Sequence, residues 1–299
     1  MRLSYIGLLL ILLLSLGHRQ AGATEIAIAP LAAEGTPKAL ATEYLKRLLE
    51  ERSSSRIRVR LVPDSEISSG QLLEALSTNR IQLALPETRS TRTLLPLLQI
   101  YEVPFLLRDR QQLHQVLDGN IGERILQQST GQQLKPLAIW DGTSRQLLAE
   151  RPLTGPDNSV DRLFQGRQSG VDMAEQTWRE VKLSDMARMK TDSRTSTLTL
   201  THHSTVNSVL LTSLQFWERL PEDLKIILSG AVKDATDYAR ELAEQADQKA
   251  LVALAGRPEV KLYHLPPAER SLWQKKFRQL YPEQLDKVKS SFAGMIIRD

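Results

Sequence analysis

At 299 residues and with no cysteine, the chain is long enough to bury a sizeable core without disulfide staples, and it suits one large or two ordinary domains. Hydrophobic residues make up 41% and charged residues 25%, globular values that exclude disorder as the organising state. The formal net charge of +4 is spread along the sequence without a basic block, which argues against a nucleic-acid partner.

The first element is a leader. Arg2 precedes the apolar run Tyr5 to Leu16, followed by polar His18, Arg19 and Gln20 and then Ala21, Gly22 and Ala23, the three-part pattern of a secretory signal with a small-residue cleavage site. The apolar run falls short of the roughly 20 residues a bilayer-spanning helix needs. Cleavage after residue 23 would remove Arg2 and Arg19 and no acid, which brings the mature chain nearer to neutrality. A soluble protein of the periplasm is the expectation.

After the leader, Glu25 to Ala29 alternates as a short strand, and Pro37 opens an amphipathic helix to about Arg52 with Leu40, Tyr44, Leu45, Leu48 and Leu49 at spacings of three and four. Ile57, Val59 and Leu61 alternate with arginines in a second strand that Pro63 ends. A helix over Gly70 to Thr78 and a strand over Ile81 to Leu85 complete a β-α-β-α-β order, which favours a parallel sheet covered by helices. Helices over Arg110 to Leu117 and Ile121 to Ser129 lead to a strand ending at Trp140.

Asp141-Gly142 reads as a turn, and Gln146 to Ala149 as a second extended segment. A strand that leaves one unit, turns and enters another is how a two-lobed α/β protein crosses its own cleft, and Arg145 sits at that crossing. Its guanidinium is always charged and offers a planar fork that matches a carboxylate. A surface arginine at a loop exit is the alternative at this stage.

Beyond Thr154 the periodicity weakens until a Thr-rich strand at Ser196 to Thr201, which ends at His202-His203; Val206 to Leu211 is a further apolar run. Leu220-Pro221-Glu222-Asp223 marks a helix start, and apolar residues then recur at helical spacing from Leu224 to Leu254. Such a helix would be on the order of 50 Å long, too long for one small lobe, so it reads as a backbone shared by two. A coiled-coil or dimer arm is the other reading of the same pattern. Val260 to Tyr263 suits a strand and Pro267 to Lys289 a last helix carrying Trp273 and Phe277.

No catalytic signature is present: there is no G-x-S-x-G, H-E-x-x-H, P-loop or G-x-G-x-x-G. His202 and His203 are neighbours on a strand and point to opposite faces, which argues against a shared metal. The expectation is a protein that is not an enzyme and needs no cofactor or metal.

Taken in order, Ile57 to Pro63, Gly70 to Leu76, Ile81 to Pro86, Val103 to Asp109, Trp140-Asp141-Gly142 with Arg145, Gln168 to Trp178 and Phe216 to Pro221 resemble the extracytoplasmic solute-binding subunits of TRAP transporters, the DctP family. The resemblance implies an α/β, two-lobed periplasmic-binding-protein fold, type II-like, with a long lobe-spanning helix. It implies lobe I over residues 24–142, lobe II over 143–217, the spanning helix over 218–256, and a C-terminal segment, 257–299, that returns to lobe II. It also implies a small organic acid ligand, the small and large integral membrane subunits of the transporter as partners, Arg145 on the ligand carboxylate, and further contacts from Glu175, Gln176 and Trp178 in the cleft segment and from Glu87 in the first lobe.

One departure stands out. Family members follow the Arg-bearing strand with a P-x-D-L-K-G-x-K-I-R-V segment, whereas here Pro156-Asp157-Asn158 is followed almost at once by Gln168 to Asp172. The second lobe is therefore expected to be shortened and to lack the family's second arginine, and a non-transporting relative that serves as an interaction or sensor subunit is the alternative function.

Overall fold

The computed structural model describes residues 23–91, 94–127, 133–156, 178–188, 196–280, 282 and 286. Strands β1 (Thr24–Ala29), β2 (Ile57–Leu61), β3 (Leu83–Ala84), β4 (Leu134–Ala149), β5 (Trp178–Lys182), β6 (Ser196–Ser213) and β7 (Val260–His264) form one sheet, in the order β2-β1-β3-β6-β4-β5 with β7 on the other side of β6. Its helices are α1 (Pro37–Arg52), α2 (Leu72–Ser77), α3 (Arg110–Asp118), α4 (Asn120–Leu126), α5 (Leu183–Arg188), α6 (Leu214–Arg219), α7 (Glu222–Ala255) and α8 (Pro267–Leu280).

Local chemistry explains the early elements. Pro37 pre-sets the first turn of α1, and the Thr36 hydroxyl caps it by accepting from the amide of Ala39. The buried stripe Ala41, Leu45, Leu48 and Leu49 then lies against Ile26 and Ile28 of β1 and Ile57 and Val59 of β2. Each buried leucine or isoleucine there contributes about 1.5–3 kcal/mol of transfer free energy.

Only β1 pairs in parallel with β2 and β3, and β7 with β6; β3 meets β6, and β4 meets β5 and β6, antiparallel. The parallel pairing expected of the first three strands is found, within a sheet that is mixed as a whole. The expected turn at Asp141-Gly142 is also corrected: β4 continues through it as a 16-residue strand, and the register slips between Asp141 and Ser144 as a bulge. Glycine is required at that bulge, because a Cβ on Gly142 would come within 2.5 Å of the Val206 carbonyl oxygen. The Thr-rich strand and the apolar run Val206 to Leu211 likewise merge into the 18-residue β6.

β4 and β6 together make a long antiparallel ribbon that runs through both lobes. At one end Ile139, Val209 and Leu211 enter a core beneath α2, α3 and α4, while Ala138, Trp140 and Leu210 enter another beneath α1 and α7. At the other end Leu147 and Ala149 pack with Trp178, Trp273 and Phe277, while Leu148, Leu198 and Leu200 pack with Val181, Leu183 and Leu254.

Helix α7 crosses with them. Leu224, Leu228, Ala231, Val232, Ala235 and Ala239 bury into the core shared with α1, and Ala250 and Leu254 into the one that holds Leu148, Val181 and Leu198. Its 34 residues are used as a strut between the lobes. The segment on which the shortened second lobe was expected, 157–177, lies outside the described residues.

Candidate functional site

Between its apolar ends the ribbon turns polar. Asp141, Ser144, Arg145 and Gln146 on β4 and Thr201, His203, Asn207 and Ser208 on β6 are all buried. A stretch of buried polar side chains is tolerated only where they satisfy one another or await a ligand.

Register explains how the charged groups meet. Arg145 pairs with Lys182, Leu147 with Glu180 and Ala149 with Trp178, so these six residues share one face of the β4-β5 pair. Moving along that face toward the other lobe, Trp178, Leu147 and Ala149 close an apolar cluster, and then Glu180, Arg145 and Lys182 replace it with charge.

Arg145 is 9% exposed and points inward. Its Nη1 donates to Glu180 Oε2 at 3.0 Å, and its Nη2 lies 3.9 Å from Glu87 Oε2. Lys182 Nζ donates to Glu87 Oε1 at 2.9 Å. Glu180 Oε1 lies 2.9 Å from His203 Nε2, and His203 Nδ1 lies 2.7 Å from the Thr201 hydroxyl. Since a carboxylate only accepts, His203 donates from Nε2, and a neutral ring then accepts the Thr201 hydroxyl hydrogen bond at Nδ1. Burial alone would raise the Glu87 carboxyl, but the hydrogen bond and charge of Lys182, helped by Arg145 and Lys38, hold it below the usual range, so it is ionised at neutral pH.

Across Glu87 lies Lys38, in the first turn of α1. Its Nζ reaches the Leu85 carbonyl at 3.3 Å and the Ser208 hydroxyl at 3.5 Å. A cavity of about 560 Å³ opens here, lined by Lys38, Glu87, Lys182, Ser184 and Ser208, with Leu242 and Ala246 of α7 behind.

A second polar cluster ties the crossing elements together. Asp247 of α7 accepts from Thr143 Oγ1 at 2.5 Å, from the amide of Ser144 at 2.9 Å and from Arg110 at 2.9 Å. Arg110 also pairs with Asp141 and donates to the Gly142 carbonyl. The Thr143 hydroxyl in turn accepts from the amide of Ser184 in α5. The bulge is thereby held to helices of both lobes.

Of the residues expected at the site, Arg145 and Glu87 are brought together. Glu175 and Gln176 lie outside the described residues. Trp178 is 3% exposed and sits among Phe105, Leu147, Trp273 and Phe277, so the structure puts it in the apolar core and not on the cleft wall. Lys38, Glu180, Lys182 and His203 are new to the site. The sequence signals no strand at Trp178 to Lys182, because its mixed charged and apolar residues carry no marked periodicity and nothing local tells which strand they would pair with. His202 and His203 part as expected for strand neighbours, His202 Nδ1 toward Gln146 and His203 toward Glu180.

Two lobes, two crossing strands, a shared helix and a charged cleft at their junction define the class: a two-lobed α/β ligand-binding protein. Comparison with known sequences narrows this to a family. The chain matches the family model DctP, described as bacterial extracellular solute-binding protein, family 7, over residues 28–159 and 159–287, and it belongs to that family. Among its relatives is the C4-dicarboxylate-binding periplasmic protein DctP of Rhodobacter capsulatus, 23% identical over 286 residues, covering 86% of this chain and 85% of that protein.

Solved structures share the fold. A TRAP periplasmic solute-binding protein of Shewanella oneidensis with bound succinate superposes with a TM-score of 0.74 at 20% identity, covering 90% of this chain and 97% of that one. One of Pseudomonas aeruginosa with bound L-malate gives 0.73 at 22% identity, covering 87% and 99%.

Proposed function

We propose that this chain is the extracytoplasmic solute-binding subunit of a TRAP-type transporter, which takes a small organic carboxylate into the cleft crossed by β4 and β6 and hands it to integral membrane subunits. The observation that carries this reading is the buried cationic centre of the ribbon, with Arg145 and Lys182 facing Glu87 between two pairs of apolar cores. Family membership and the ligands of the solved relatives, succinate and L-malate, support the carboxylate class.

Contacts from both lobes make ligand binding favour the closed arrangement, which is the state membrane subunits would read. Glu175 and Gln176 belong to the reading through the family resemblance alone. The leader over residues 1–23 accords with export to the periplasm, and no helix among the described residues is long and apolar enough to cross a membrane. The break in the family match at residue 159 accords with a shortened second lobe.

The test is a thermal-shift panel of C4-dicarboxylates and sugar acids on the purified protein, because a ligand selective for the folded state stabilises it by mass action, about 2.7 kcal/mol at a hundredfold excess over Kd. A rise in Tm with at least one acid is expected; a flat panel removes the proposal.

A further inference from the structure

Among the described residues where β3, β5 and the start of α1 meet, cations outnumber the carboxylates in contact with them. Lys38, Arg145 and Lys182 face two carboxylates, Glu87 and Glu180, and both carboxylates are engaged: Glu180 by Arg145 and His203, Glu87 by Lys182 at 2.9 Å and by Arg145 at 3.9 Å. The unmatched positive charge falls at Lys38, which has only a carbonyl and a hydroxyl at 3.3 and 3.5 Å and, among the described residues, no carboxylate in contact.

Its setting adds to the excess. Lys38 stands in the first turn of a 16-residue helix that carries no acid there, so the amine adds to the positive end of the helix dipole. Burial, countered in part by Glu87 and reinforced by Lys182, lowers its pKa to about 8.

Space separates the two kinds of cation. Arg145 opens on a crevice of only about 10 Å³ between Tyr101, Ser204 and Asn207, on the order of one water molecule. Lys38 and Lys182 open on the cavity of about 560 Å³, within the range of small-molecule sites.

We infer that Lys38 and Lys182, one from each lobe, are the groups that take the ligand's carboxylate, while Glu180 holds Arg145 out of that contact. The inference rests on the carboxylate-binding reading above and names the residues behind it. Without an anion the two amines repel across the cleft. A carboxylate between them replaces that repulsion with two charge-assisted hydrogen bonds and draws the start of α1 toward β5. Arg145, spent on Glu180 and Glu87, then acts as a positioning residue: it fixes Glu87, which aims Lys182.

Calorimetric titration with succinate, L-malate and D-glucuronate tests this on the purified wild type and on Lys38→Gln, Lys182→Gln, Lys38→Arg and Glu180→Gln. For whichever acid binds the wild type, Lys38→Gln and Lys182→Gln should each weaken binding by about 30-fold or more. Lys38→Arg should restore most of the loss, urea unfolding of each glutamine variant should show a cooperative transition like that of wild type, and Glu180→Gln should bind at least as tightly as wild type.

The charged groups around Lys38 are Glu87, Lys182 and Asp64, with Asp141, Asp185, Arg188 and Lys249 on the cavity wall. Wild-type affinity should therefore fall from pH 7 to 9.5 as the amine loses its proton, and Lys38→Arg should flatten that fall. An acid that binds wild type and both glutamine variants equally overturns the inference and leaves the carboxylate reading standing. No binding of any acid overturns both.

Discussion

The ends and the centre of the β4-β6 ribbon are built on the same backbone pairing yet do opposite work. At the ends, alternate side chains enter apolar cores on both faces of the sheet, Leu210 and Trp140 in one lobe, Leu147 and Leu198 in the other. In the centre the same alternation delivers Asp141, Arg145, His203 and Ser208, and the pairing is broken by bulges between Asp141 and Ser144 and between Arg145 and Leu147. The difference teaches that the cleft is a polar interruption in a continuous sheet: where side chains cannot form a core, the lobes part and the space between them becomes a site.

The largest effect is expected at the apolar end: Trp178→Ala should cost about 3–5 kcal/mol in urea unfolding, because it empties the middle of the cluster with Phe105, Trp273 and Phe277. A cost below about 1 kcal/mol would mean that the indole does not hold the second lobe.

Arg145→Leu comes next. It leaves Glu180 and Glu87 short of a counter-ion inside the centre, and about 3 kcal/mol should be lost. Adding Glu180→Leu should return much of that loss if the centre can be rebuilt as core; a double variant as unstable as the single one shows that the polar network has no apolar substitute here.

The smallest effect is a pH-dependent one at Lys38. Its pKa of about 8 in the folded protein lies below 10.5 in the unfolded chain, so the unfolded state binds more protons between those values and stability rises with pH across that window. Lys38→Met should therefore be more stable than wild type at pH 7, with the gap in urea midpoint closing as pH approaches 10.5. A gap that does not change with pH would assign the effect to packing and not to the charge.

Much of the frame was legible in the residues. Pro37 and Pro221 mark where α1 and α7 begin, Ile57 and Val59 alternate as β2 requires, and the apolar recurrence from Leu224 to Leu254 runs the length of α7. The Asp141-Gly142 turn misled because a glycine in a polar stretch signals a bulge as readily as a turn, and only the approach of the Val206 carbonyl decides between them. β3 is reduced to Leu83–Ala84, although Gln82 and Leu85 on either side still donate to the Ala27 and Ala29 carbonyls of β1.

The site was half legible. Arg145 stood out because it follows the crossing point, whereas Lys38, Glu180 and Lys182 carry no local mark. They sit in an ordinary helix start and an ordinary strand, and they come together only because β5 pairs with β4 in one register and the start of α1 brings Lys38 to the Leu85 carbonyl, two residues before Glu87.

By itself, then, the sequence located most of the helices and strands, because those rest on periodicity and capping, which act over a few neighbouring residues, and the family resemblance added the two-lobed class and the role of the arginine at the crossing. Only the tertiary structure decided that Glu180 occupies the guanidinium and that Lys38 meets a carbonyl and a hydroxyl but no carboxylate among the described residues, because the balance of charge in a buried cleft depends on groups as far as 170 positions apart in the chain that meet only once the sheet has closed.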